Sequence, residues 1–197
     1  MIIQTEVNRF GLVFLAGFTA SNKLFGILEI AGSSYGFAHV SYVGQNYGAK
    51  KYDRIRKGVN QGVLIAILTS MVIGGIMLIL GPWFISCFIS GSAQQVAESS
   101  RVAYQYLSVM SFALPALYIL HAYRSSLQGL GDTVVPMLSG ILELVMRTSL
   151  VFTLPRFVGS KGIFFAEVSA WIGAAVMLAI AYYIRLHTIV KRAELDV

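Results

Sequence analysis

Cysteine occurs once, and charged residues make up only 12% of the 197-residue sequence. The single thiol, Cys87, excludes a disulfide within the chain and any cysteine-built metal cluster. It stands in an apolar run, so packing is its expected role. There is no HExxH, no Walker loop, no G-x-S-x-G and no cysteine/histidine cluster, which leaves hydrolase and ATPase chemistry without support. An enzyme is therefore not expected, and any energy the chain uses must come from an ion gradient. The net charge of +6 does not point to nucleic acid, because the basic residues gather in one short segment and near the C-terminus, each beside an apolar block. That distribution is an orientation signal for a membrane.

What the sequence has in excess is apolar surface. Hydrophobic residues reach 56% and the mean hydropathy is +0.72, more than a soluble domain of this size can hide. About 20 apolar residues, at roughly 1.5 Å each, cross a hydrocarbon core of roughly 30 Å. The expected fold is an all-α membrane protein, a bundle of about five transmembrane helices, with spans near 12–48, 59–89, 101–128, 133–154 and 163–184. Residues 1–11 (MIIQTEVNRFG) are too polar and short to span and read as the end of a truncated helix with an outer loop. Residues 12–186 form the bundle, and 187–197 a cytoplasmic tail.

Ala49–Gly58 (AKKYDRIRKG) carries Lys50, Lys51, Arg54, Arg56 and Lys57 against Asp53, and reads as a cytoplasmic loop. Alternation from it puts Ser90–Ser100 and Pro155–Gly162 outside, and the GLGD turn and the tail with Arg185, Lys191 and Arg192 inside. The start then lies outside without a targeting segment, which suggests a fragment. Pro82 falls near the far end of the second span, and Pro115 predicts a kink in the third. Asp132 or Thr133 is the expected cap of the fourth span, with Pro136 in its first turn.

Ionisable side chains inside spans cost roughly 2.5 to 3.5 kcal/mol each, so they turn toward a partner or a watery cavity. Glu143 and Arg147 stand four apart on the fourth span, acid first, and are expected to neutralise one another. Glu167 enters the fifth span from the outside and reaches about the depth of Arg147. The three are expected to share one polar cluster facing the bundle interior, either as part of a cavity or as a structural ion network. Glu29 and His39 on the first span are further candidates for lining a cavity, while Lys23 is expected to snorkel to the outer interface. His39 and His121 read first as packing residues with one hydrogen bond, and Arg124 as an orienting or gating residue near the cytoplasmic turn. Glycines at four-residue spacing, Gly32 with Gly36, Gly44 with Gly48 and Gly58 with Gly62, predict close helix approach.

The segments VGQNYGAKKYDRIRKG, SSLQGLGDTVVPM, GILELVMR and AEVSAW, in this order, resemble the C-terminal half of a multidrug and toxic compound extrusion (MATE) transporter. The resemblance covers nearly the whole chain. It implies one lobe of a twelve-helix transporter, with the five spans as helices eight to twelve. It also implies export of small cationic, amphipathic compounds in exchange for Na+ or H+, by rocking of two lobes about a central cavity in the plasma membrane. No cofactor beyond the coupling ion is implied; the implied partners are the lipid bilayer, the cationic substrate and the missing N-terminal lobe or its equivalent. The family's glutamate and arginine of helix eleven fall on Glu143 and Arg147. Two departures stand out: the N-terminal lobe with its cation-binding aspartate is absent from this sequence, and ALPALYILHAYRSSLQGLGD has no acid before Asp132. Two other readings stay open, a flippase for lipid-linked sugars and a non-transporting membrane subunit.

Overall fold

The computed structural model describes residues 10–195. Hydrocarbon offers no hydrogen bonds to a backbone, so apolar segments satisfy their own peptide groups as helices. The elements are α1 (Leu12–Gly48), α2 (Tyr52–Ser86), α3 (Ala93–Gly129), α4 (Val134–Thr153), the single turn α5 (Pro155–Val158) and α6 (Lys161–Leu195). Among the described residues five helices are long and apolar enough to cross a membrane, α4 running on into α5 as one of them.

Most helices overrun the apolar segments that announce them. The basic stretch AKKYDRIRKG is helical from Tyr52 onward rather than a loop, α3 starts at Ala93, and α6 continues through most of the tail. The reason is physical: hydropathy marks where the chain leaves hydrocarbon, but long Lys and Arg side chains reach water from a helix as well as from a loop. Local chemistry sets the actual ends. Ser92 and Gln95 close a reciprocal capping box at the start of α3. At the start of α4 the Asp132 carboxylate accepts from the Val134 and Val135 N–H groups at 3.1 and 3.2 Å, while the Thr133 side chain makes no capping bond.

The central helix is α3, which packs against α1, α2 and α6, with α4 resting mainly on α6. Its residues Tyr106, Leu107, Met110, Leu114, Tyr118 and Leu127 are almost completely buried. Small residues bring its neighbours close. A Cβ on Gly36 of α1 would stand 2.8 Å from Ser125 Oγ, and one on Gly62 of α2 would stand 2.6 Å from His39 Nε2. Gly48 has nothing near it, so that member of the four-residue series ends a helix instead of seating one.

Both helix-interior prolines face a neighbouring helix that packs on the carbonyl they free. Pro82 lacks an N–H and leaves the Leu78 carbonyl free, and the Tyr104 hydroxyl of α3 donates to it at 3.0 Å. Pro115 leaves the Ser111 carbonyl free in the middle of α3, where Gly74 of α2 packs so closely that a Cβ would lie 2.7 Å from that oxygen. Gly74 thus leaves room for the close approach of α2 to that carbonyl, which a side chain there would block. Helix α3 runs unbroken through Pro115.

The outward face of α2 presents Leu64, Ile65, Leu68, Met71, Val72 and Ile79, an apolar surface suited to acyl chains. Cys87, expected to pack, is exposed at the end of this helix. In a membrane an apolar run faces lipid as readily as core, so apolar neighbours say little about burial.

Candidate functional site

One chain of polar contacts crosses four helices. The Tyr106 hydroxyl on α3 lies 3.0 Å from Glu167 Oε2 on α6 and 3.4 Å from Asn22 Oδ1 on α1. With one proton to donate, the phenol favours the carboxylate. The other Glu167 oxygen lies 3.9 Å from Arg147 Nη1 on α4. Arg147 and Glu167 are mostly shielded, with 31% and 14% of their side chains exposed, and Arg147 Nε is buried without a hydrogen-bond partner. That guanidinium keeps an unused donor inside the bundle.

A second pair sits one turn along α4. Glu143 is bonded to Arg124 of α3, not to Arg147 as helical spacing alone predicts. Arg124 also donates to Ser139 Oγ through Nη2 at 3.0 Å and Nε at 3.3 Å, and Ser139 in turn donates to the Pro136 carbonyl. A pairing four apart on one helix is worth only about 0.2 to 0.5 kcal/mol. The pairing across helices adds two hydrogen bonds that fix the guanidinium, and it prevails. The expected three-residue cluster is thus two stacked pairs: Arg147 with Glu167, and Glu143 with Arg124.

Glu29 belongs to the same side of the bundle. Asn22, Gly26, Glu29 and Ser33 repeat at helical spacing along α1 and are exposed or half-buried. Among the described residues Glu29 forms no ion pair within 4.0 Å. The polar wall therefore carries three carboxylates, Glu29, Glu143 and Glu167, against two guanidiniums, Arg124 and Arg147.

His39 lies elsewhere. Ten residues beyond Glu29, about 15 Å along the helix, it is buried between α1 and α2, with Nδ1 2.8 Å from the Tyr35 carbonyl and Nε2 against Gly62 and unpartnered. His121 is half-buried beside Gly32, its Nε2 also unpartnered. Lys23 is exposed beside Ser90 at one end of the bundle. The sequence reading missed Tyr106 and Asn22, which have no motif around them, and saw Arg124 without its partner. Among the described residues no group of His, Cys, Asp and Glu is arranged to hold a metal ion.

A family model, MatE, matches residues 1–153. The chain belongs to the MatE family. The curated relatives it resembles include the multidrug resistance protein NorM of Vibrio cholerae, 29% identical over 76% of this chain and 30% of the relative. Another is the probable multidrug resistance protein YoeA of Bacillus subtilis, 26% identical over 73% of this chain and 31% of the relative. The matched segment of the chain spans about a third of the length of these relatives. Among solved structures, a MOP superfamily transporter from Pyrococcus furiosus superposes with a TM-score of 0.85 at 16% identity, covering 94% of this chain and 41% of that one. An outward-facing multidrug resistance MATE family transporter also gives 0.85 at 16%, over 96% and 42%. The fold is that of one MATE transporter lobe, and the chain is a multi-pass membrane protein of a transporter family. Within this MatE chain, Glu29, Glu143 and Arg147 fall inside the matched residues, and Glu167 beyond them.

Proposed function

We propose that this chain is one lobe of a secondary active exporter of cationic, amphipathic compounds, driven by antiport of Na+ or H+. The observation that carries the reading is the polar wall of Asn22, Tyr106, Glu167 and Arg147, four side chains from four helices in contact within hydrocarbon depth. Charges at that depth are costly and mark pathways for ions or substrates. The excess carboxylate, Glu29, gives the wall an acidic balance that attracts a cation and does not favour the pyrophosphate of a lipid-linked sugar. A purely structural subunit has no use for that exposed acid. In relatives more than twice as long, the remaining length accommodates a second lobe that would face this wall.

Lys50, Lys51 and Arg54 lie at the same end of the bundle as Arg185 and Arg192, since they line adjoining crevices there. By the positive-inside rule that end is cytoplasmic, in the plasma membrane, and the C-terminus with it. The test is accumulation of a fluorescent cationic dye in cells stripped of their own exporters. With a matching six-helix lobe from a relative co-expressed, dye should fall, and Glu167→Gln should restore it. Accumulation unchanged by the pair of lobes, at verified membrane expression of both, defeats the proposal.

A further inference from the structure

The geometry points to a binding site for the phosphate of an anionic phospholipid, in a crevice between the α1–α2 turn and the C-terminal part of α6. The crevice, about 500 Å³, is lined by Tyr47, Lys50, Tyr52, Arg185, Thr188 and Arg192, with Ile189 and Ala193 completing it. Its volume is that of a small-molecule site. Three cations and the Tyr47 and Tyr52 hydroxyls line it, donors that a phosphodiester accepts from, while the Thr188 hydroxyl already donates to the Ile184 carbonyl. One cation is already engaged: Arg185 Nε lies 3.8 Å from Asp132 Oδ2, which leaves Lys50 and Arg192 to balance an incoming anion.

The backbone supplies a second, independent observation. Helix α1 ends with Lys51 N–H bonded to the Asn46 carbonyl and Lys50 N–H to the Tyr47 carbonyl, the paired bonds of a Schellman motif. Helix α3 ends the same way, Asp132 N–H to Leu127 and Gly131 N–H to Gln128. The residue between must take a left-handed conformation, and at the end of α3 it is glycine, Gly131 at φ 79°. At the end of α1 it is Lys50, at φ 57°, the one non-glycine residue with positive φ among those described. A lysine accepts that conformation at a cost glycine does not bear. That conformation places Lys50 in the three-residue turn between α1 and α2, at the lining of the crevice.

The location favours a lipid as the source of the phosphate. Arg185 follows directly on the apolar run of α6, so the crevice opens where headgroups lie, and Tyr47 and Tyr52 sit where aromatic residues concentrate at membrane interfaces. Basic pockets between helices at this level take lipid phosphates. The inference rests on α6 crossing the membrane and is independent of transport.

The test uses the full chain in neutral detergent, with lipid retention read by native mass spectrometry and folding checked by circular dichroism. The probes are short-chain phosphatidylglycerol, phosphatidylcholine of equal chain length, and inorganic phosphate. Phosphatidylglycerol should be retained in preference to phosphatidylcholine. Lys50→Gly with Arg192→Gln should weaken it about thirtyfold, and the glycine relieves the turn, so loss of folding does not confound the result. Lys57→Gln with Lys191→Gln removes the same charge from the same end, outside the crevice, and should leave retention unchanged. Equal loss in both double variants would reduce the effect to surface charge and overturn the site. Inorganic phosphate displacing the lipid at equal concentration would overturn the lipid as its ligand.

Discussion

Replacing Arg124 with methionine removes the partner of Glu143 while keeping much of the side-chain volume. The pair is partly buried, with 25% and 15% of its side chains exposed, so the stranded carboxylate cannot be fully rehydrated. Breaking a buried pair from one side costs about 3 to 5 kcal/mol, and partial exposure puts this case near the lower bound, about 3 kcal/mol. Glu143→Gln is milder, because Arg124 keeps its two bonds to Ser139 and the amide oxygen still accepts; about 1.5 kcal/mol follows from losing the charge on one partner. The double variant strands neither charge and should be little worse than the milder single one. The cycle then closes with a coupling of about 2.5 kcal/mol, against the few tenths expected of residues that do not touch. Unfolding of the detergent-solubilised chain by SDS, followed by circular dichroism, measures all four forms. Additivity within about 0.5 kcal/mol refutes the pairing. A larger coupling in the parallel Glu143→Gln, Arg147→Gln cycle would refute it more specifically, by returning Glu143 to the partner that helical spacing suggests.

Tyr106→Phe deletes the hydroxyl that meets Glu167 and Asn22, and should cost about 1.5 to 3 kcal/mol in the same assay, with reduced dye export in the paired-lobe cells. Gly62→Ala drives a methyl to within 2.6 Å of His39 Nε2 and should destabilise by about 1 to 3 kcal/mol, whereas Gly26→Ala, with open space around it, should stabilise by up to about 1 kcal/mol; thermal unfolding separates the two. Cys87 is exposed at the end of α2 remote from the basic turn, so a membrane-impermeant maleimide should label it in intact cells. Labelling only after the cells are opened would reverse the proposed orientation.

The number and order of the crossing helices were legible because hydrocarbon imposes one requirement, a long apolar stretch, that a sequence displays openly. Depth was legible too: counting residues from each end brings Arg147 and Glu167 to one level, and the structure puts them 3.9 Å apart. Partnership was not. Nothing in the stretch around Arg124 says that it meets Glu143, since that depends on how α4 rotates and how close α3 comes, and both are settled by packing between helices far apart in the chain. Tyr106 illustrates the same limit. It stands among Tyr104, Leu107 and Met110 with the look of a core aromatic, and only the arrival of α1 and α6 at its hydroxyl gives it a polar task.

Exposure has two meanings on this bundle, and residue chemistry separates them. On α2 the exposed face is Leu64, Leu68, Met71 and Ile79, and no polar stripe breaks it. On α1 the exposed and half-buried residues include a stripe of Asn22, Gly26, Glu29 and Ser33, polar or small, and beside it a flank with Ile27, Ile30 and Phe37, which Lys23 and Ser34 share. Lipid contacting the polar stripe would have to solvate Glu29, at a cost of several kcal/mol that no described partner offsets. Phe37 and Ile30 face acyl chains without penalty. The polar stripe of α1 therefore turns away from lipid, toward the side on which Tyr106, Glu167 and Arg147 already meet, and water or another protein surface must cover it. An acid-bearing face that is open, at membrane depth and shielded from lipid is what a transport cavity requires of one of its two walls. Its accessibility can be checked directly: a cysteine at Ser33 in the Cys87→Ser background should react with a small aqueous thiol reagent, and one at Ile79 should not. Equal reactivity at the two positions would mean that the polar stripe borders lipid after all.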